Sequence, residues 1–158
     1  MTSDAWRTVG EVVTDLEQRA ERSGEWQVSP WPGELFAISS GEGQVTYWST
    51  RGVAVHAAST EFVDGDSGLT RRQIRGALRA TSRVAVRWLY AMTIDEGTAS
   101  YRAALDAEAA LITDILTPPE DGSPVRVLVD SATRAVLQEG WLSGEIRLSV
   151  THHMPLSR

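Results

Sequence analysis

Cysteine, lysine and asparagine are all absent from this chain of 158 residues. Without cysteine there is no disulfide, no thiolate metal site and no cysteine nucleophile, although the compartment stays open. Lysine and asparagine have AT-rich codons, so their joint absence points to a GC-rich coding sequence. That bears on origin and not on activity. No apolar run approaches the roughly 18 residues needed to cross a bilayer. The opening MTSDAWRTVGEVV has neither the basic flank nor the long apolar core of a signal peptide. Basic charge is also short: a net charge of −6 and a pI near 5.0 speak against broad nucleic-acid binding, which needs a basic footprint. Several motifs are missing too. There is no G-x-S-x-G elbow, no G-x-x-x-x-G-K-[ST] loop and no G-x-G-x-x-G turn. Serine hydrolysis, phosphate cradling and dinucleotide binding therefore lack their local signatures.

What is present is an ordinary globular composition. The chain is 42% hydrophobic and 23% charged, which argues against disorder. A chain of this length buries roughly two thirds of its unfolded surface. Residues 4–22 read as an amphipathic helix, with Trp6, Val9, Val13, Leu16 and Ala20 on one stripe and Ser3 as its cap. Gly24 and the prolines at 30 and 32 end it. From 34 to 63 the pattern turns to short strands, ELFAIS, QVTYWST and GVAVHA, separated by glycine turns. Residues 70–81 are expected to form a short helix, followed by the strand RVAVRWLYAM with Val84, Val86 and Trp88 on one face. A second helix is expected over 99–116, with Leu105, Ala109, Ile112 and Leu116 as its stripe and Ala104, Leu111 and Ile115 beside them. VRVLVD at 125–130 reads as a buried strand, and the remainder as a hairpin turning between Gly140 and Gly144. No repeat or linker divides the chain. The expectation is a single α+β domain over 1–158, with a mainly antiparallel β-sheet packed against two principal α-helices.

Candidate chemistry is thin. His152 and His153 are adjacent on the final strand, so they point to opposite faces, whereas two ligands of one metal need i, i+2 spacing there. They read as histidines at the wet end of a strand, with His56 elsewhere. VDGDSG resembles a calcium loop only in Asp64 and Asp66, because its twelfth position is Arg75 where a bidentate glutamate is required. No metal and no cofactor is expected, and no catalytic residue is assigned. Arg71, Arg75 and Arg79 are four apart and form one basic stripe if 70–81 is helical. Asp106, Asp114 and Glu108 on the second helix would supply complementary charge from a neighbouring subunit. Trp6 and Trp88 fit core stripes. Trp26 and Trp31, near prolines, and Trp141, at a turn, are candidates for a binding surface, with core filling the safer reading for any single one. The candidate subunit or partner interface is thus Arg71, Arg75, Arg79, Asp106, Asp114, Trp141 and His153.

The order of these segments carries a resemblance. An N-terminal helix leads to β-rich segments and RVAVRWLYAM. Then come the acidic loop TIDEG, the helix SYRAALDAEAALITDIL, the strand VRVLVD and a closing hairpin ending GWLSGEIRLSVTHHMPL. This order resembles the tail terminator (tail completion) proteins of long-tailed bacteriophages and related gene-transfer particles, most closely over 83–156. The resemblance implies an α/β fold that assembles as a hexameric ring on the finished tail tube. Such a ring stops tube polymerisation and offers a surface to the head-side connector. The implied partners are further copies of the chain, the tail tube protein and the head–tail connector protein. DNA at most passes through the lumen, and no membrane is involved. The implied location is the head-proximal end of the virion tail, after assembly in the host cytoplasm. Two other readings stay open: a neck or head–tail connector component, and a monomeric α+β domain that binds a small ligand.

Overall fold

The computed structural model describes residues 7–29, 37–39, 45–47, 51–62, 77–93, 96–120, 122–138 and 140–155. The elements in chain order are α1 (Val9–Ala20), β1 (Gln27–Val28), β2 (Ala37–Ser39), β3 (Val45–Tyr47) and β4 (Arg51–Phe62), then β5 (Ala77–Ala91), α2 (Thr98–Leu116), β6 (Arg126–Gln138) and β7 (Trp141–Pro155). Five strands make one sheet in the order β1-β4-β5-β7-β6, and β2 pairs with β3 separately. All neighbours are antiparallel except β1 and β4. This is the α+β architecture expected from the sequence.

Alternation decides which face of the sheet is covered. On β5, Ala80, Ser82, Val84, Val86, Trp88 and Tyr90 are buried, and on β7 so are Leu142, Ile146, Leu148, Val150 and His152. Val84, Val86, Trp88 and Tyr90 of β5 and Leu142, Ile146, Leu148 and Val150 of β7, with Val53 and Val55 of β4, meet Val12, Leu16 and Ala20 of α1 and Ala104, Leu111 and Ile115 of α2 in one core. The molecule is therefore two layers, helices over one face of a sheet. Burying each of these large apolar side chains contributes about 1.5–3 kcal/mol. Trp26 packs edge-on against Trp88, with ring centroids 6.0 Å apart. It is a core residue, which is the safer of the two readings the sequence offered for it.

Local chemistry corrects several boundaries. α1 begins at Val9 and not at residue 4, because Thr8 and Glu11 form a capping box: the Thr8 hydroxyl accepts from Glu11 N–H at 3.1 Å and the Glu11 carboxylate accepts from Thr8 N–H at 3.0 Å. That bond to the Thr8 backbone holds the Glu11 carboxyl below the usual carboxylate range. Leu16 and Ala20 of the expected stripe are buried, Val12 and Arg19 join them, and Val9 and Val13 are only half-buried at the margin. Ser3 and Trp6 lie outside the described residues. Arg19 is buried because it caps the other helix. Its guanidinium donates to the Ile115 carbonyl at 2.8 Å and pairs with Asp15 at 3.2 Å, and Arg22 donates to the Thr117 carbonyl at 2.8 Å. The last turn of α2 has no basic residue of its own, so α1 supplies the positive charge that its C-terminus favours.

The expected helix over 70–81 is overturned where the chain is described: residues from Ala77 onward are strand. On α2, the buried face is Ser100, Ala104, Glu108, Leu111 and Ile115, so the residues placed beside the expected stripe are the core and Leu116 is exposed. β6 is an edge strand, not a buried one, and Leu128 is 51% exposed. The β6–β7 turn includes Gly140 at φ 86°, whereas Gly144 lies within β7.

Candidate functional site

The second face of the sheet is open over most of its length. Arg79, Arg83 and Arg87 are four apart on a strand, an even spacing that puts all three on one face. Their partners on β7 are His153, Ser149 and Glu145, and Arg147 stands opposite Ala85 between them. β4 adds His56, opposite Ala85, and Glu61, opposite Thr81. β6 adds Arg126, Leu128 and Thr133, opposite Thr151, Ser149 and Glu145. All of these side chains except Ala85, Thr81, Thr151, Ser149 and Glu145 are exposed. Ala54 and Leu89, at one end of the same face, are buried.

The polar groups here form one cross-strand chain. The Arg83 guanidinium donates to Ser149 Oγ at 2.8 Å and lies 3.5 Å from Asp130. Ser149 Oγ in turn donates to the Asp130 carboxylate at 2.6 Å. Arg147 approaches Glu145 at 3.8 Å. Pairs this exposed contribute little stability, about 0–1 kcal/mol each, so they orient charge more than they hold the fold. Two hollows adjoin at Glu145. One of about 500 Å³ is lined by His56, Arg83, Ala85, Asp130 and Arg147. The other, of about 460 Å³, is lined by Arg87, Thr133, Ala135, Leu137 and Ser143.

Charge is divided between the layers. On the open face Arg79, Arg83, Arg87, Arg126 and Arg147 outnumber Glu61, Asp130 and Glu145. Along α1, Glu11, Asp15 and Glu17 outnumber Arg19, and along α2, Asp106 and Asp114 outnumber Arg102, Glu108 being buried against Arg134. A chain of net negative charge thus carries a basic sheet face and an acidic helix layer.

His152 is not at a wet strand end: it is 1% exposed. Its Nδ1 lies 2.9 Å from the Arg7 carbonyl, which can only accept, so Nδ1 carries the proton. Nε2 then accepts from the Ser82 hydroxyl at 2.8 Å, and Ser82 accepts from Thr60 at 2.9 Å. Burial pushes the His152 pKa below its ordinary value of 6.5, against the bond to Arg7, and His153 lowers it further. A serine donating to a histidine has the form of a nucleophile and its base. Ser82, however, is fully buried, so no substrate reaches it and the pair works as a latch between the sheet and the approach to α1. Among the described residues no three His, Asp or Glu side chains converge in a way that could hold a metal ion.

A second buried cluster joins α2 to the sheet. Glu108 accepts from Trp88 Nε1 at 3.1 Å and from Arg134 Nε at 2.7 Å. Glu108 is therefore not available to a neighbouring subunit, contrary to the sequence expectation. Trp88 reaches it by lying across β7 at Gly144, where a Cβ would stand 2.2 Å from the indole.

Of the expected interface residues, Arg71 and Arg75 lie outside the described residues. Arg79 and His153 are brought together as opposite residues on the open face, and Trp141 is half-buried at the far end of β7. Asp106 is exposed and Asp114 half-buried on α2, in the other layer. These residues do not make one site; they fall on two faces. Arg87 and Arg147 were missed: reading 77–91 as one strand would have grouped Arg87 with Arg79 and Arg83, whereas Arg147 joins them only through strand pairing. The expected loop with Asp64 and Asp66, and Trp31, lie outside the described residues. No described helix is long and apolar enough to cross a membrane. No protein-family model matches this chain, and no curated protein matches it significantly.

Proposed function

We propose that this protein is a structural, non-catalytic component of a phage-type tail. In this reading it closes as a hexameric ring on the tail tube, ends tube polymerisation and presents a surface for head joining. The observation that carries the reading is the run from β5 through α2 to the β6–β7 hairpin, the element order on which the resemblance rests. The division of charge between the two layers supports it, because neighbours in a ring meet through unlike surfaces. The partners in this reading are copies of the chain, the tube protein and the head–tail connector, with the virion tail as the location. A neck component of the same particle would share these features, and binding to tube ends separates the two.

Native mass spectrometry across concentration at near-neutral pH, followed by electron microscopy of tubes polymerised from the particle's own tube protein, tests the proposal. A hexamer that sits on tube ends and halts elongation is expected. A protein that neither forms rings nor changes tube length would sink it.

A further inference from the structure

We infer that two copies of this chain join edge to edge through β6, the two strands running antiparallel about a two-fold axis at Ala132. This contact goes beyond the proposed ring and stands without it, because it uses the rim of the sheet and neither of its faces.

β6 is 13 residues long and lies at the end of the sheet order, so among the described residues β7 fills only one of its two edges. An edge strand offers its outward N–H and C=O groups to any strand that fits. Six large apolar side chains are strongly exposed among the described residues, and Leu128, Val136 and Leu137 of β6 are three of them. The chain has no lysine and β6 has no proline, two residues that commonly blunt an edge. β6 does have a bulge at Asp130, where its register with β7 shifts by one residue. Past that bulge the alternation of sides is displaced, so a partner has to keep its own sides in step.

A second copy of β6 does so. Pairing with β7 puts Val127, Val129, Ala132, Arg134 and Val136 on the helix side, and Arg126, Leu128, Ser131, Thr133 and Ala135 on the open side. With Ala132 opposite its own copy, Ser131 meets Thr133. Beyond the bulge Val129 meets Arg134, Leu128 meets Ala135 and Val127 meets Val136. Each of these pairs lies on a single side of the sheet, and the two bulges fall at equal distances from the axis. Leu137, which lines a hollow of the open face, stands diagonal to Leu128 of the other copy, within reach of a long side chain. All three exposed apolar residues thus meet apolar neighbours, and no charge stands opposite one of its own sign. Moving the axis to Thr133 would set Leu128 against the second bulge, between Val136 and Gln138, and moving it to Arg134 would oppose that charge to itself. Arg134 and Asp130 hold Glu108 and Ser149 within their own chain, so the contact needs neither. The same strand serves both copies, which makes the contact isologous.

Because the chain has no cysteine, a single introduced thiol reads the register. Opposite residues of an antiparallel pair have Cα atoms about 4.5–5.5 Å apart, a span that a disulfide bridges. Ala132→Cys is therefore expected to convert to a disulfide-linked dimer under mild oxidation, seen on a non-reducing gel. Leu128→Cys should stay unlinked, since residue 128 lies about 20 Å from its own copy along the strand. Mixed with Ala135→Cys chains, it should give a linked heterodimer. A second variant, Leu128→Lys with Val136→Lys, changes two side chains exposed in the free chain and should halve the wild-type mass in native mass spectrometry. Thermal melting establishes that each variant is folded. An unlinked Ala132→Cys protein, or a lysine variant of wild-type mass, would overturn the pairing and leave the proposed function standing. Linkage at 132 in a protein that neither forms rings nor binds tube ends would keep the pairing and remove the tail-terminating role.

Discussion

Replacing Gly144 by alanine should damage this fold more than its size implies. The added Cβ would lie 2.2–2.4 Å from Trp88 Cε2, Nε1 and Cζ2, distances no side-chain carbon tolerates. On general grounds alanine in a strand is better than glycine by about 0.5–1 kcal/mol, because it restricts the unfolded chain. Here the indole has to move, and it is fully buried with its N–H committed to Glu108. Overpacking a tight core costs about 1–3 kcal/mol. Weakening a hydrogen bond to a charged group adds about 1.5–3 kcal/mol. A net loss of about 3 kcal/mol follows, which for a chain of this size lowers the melting temperature by about 6–12 °C. Far-UV circular dichroism during a thermal or urea ramp reads it directly. The decisive control is the same substitution in a Trp88→Leu background, where the clash is gone and the cost should fall below about 1 kcal/mol. A Gly144→Ala protein as stable as the wild type, or an equal cost in both backgrounds, would refute the reasoning.

Other perturbations read other parts of the fold. Glu108→Ala leaves the Trp88 N–H and the Arg134 guanidinium without their acceptor and should cost about 2–4 kcal/mol, moderated because Arg134 is half open to water. Glu108→Gln, which keeps an acceptor, should cost less in the same urea titration. Folded His152 binds its proton less readily than the unfolded chain does, so the unfolded state protonates first as pH falls. The stabilisation is complete above about pH 6.5, the ordinary histidine value, and is lost as pH falls through the lower folded-state value. His152→Gln should flatten stability between pH 7 and 5 relative to the wild type, and an unchanged slope would assign that dependence to other groups. Thr8→Ala removes one half of the capping box and should cost about 1 kcal/mol, seen as earlier loss of helical signal; no change would mean that the cap contributes nothing.

Periodicity made the long helix and the long strands readable, and what it missed has particular causes. Residues 77–81, the end of the expected 70–81 helix, do not read as strand because the inward positions there and just beyond are Ala80 and Ser82, too small to announce a buried face. The same positions alternate correctly once β5 is traced whole. α2 is apolar around more than half its circumference, so two adjoining stripes competed and only packing against the sheet selected Ala104, Leu111 and Ile115. Glu108 reads as surface in a run of alanines. Its partners lie 20 and 26 residues away, beyond any local pattern. Gly144 looked like a turn because glycine usually is one; its role as a bed for an indole depends on the strand beside it. The open face followed the same logic: its arginines belong together only through strand order.

The position of β7 governs how the chain is made. It lies between β5 and β6, and it follows both in chain order. A nascent chain emerging from the ribosome therefore exposes β5 with one edge unfilled, then α2 with nothing complete to cover, and then β6 with no partner. Only when residues 141–155 emerge can the three strands join, and the Arg7–His152 latch, 145 residues apart, forms last of all. Contacts of such long separation slow folding, and unpaired edges invite association before it is finished. The sheet thus waits for its central strand β7, made after both of its neighbours. A chaperone that shields the waiting edges should raise the yield of folded protein.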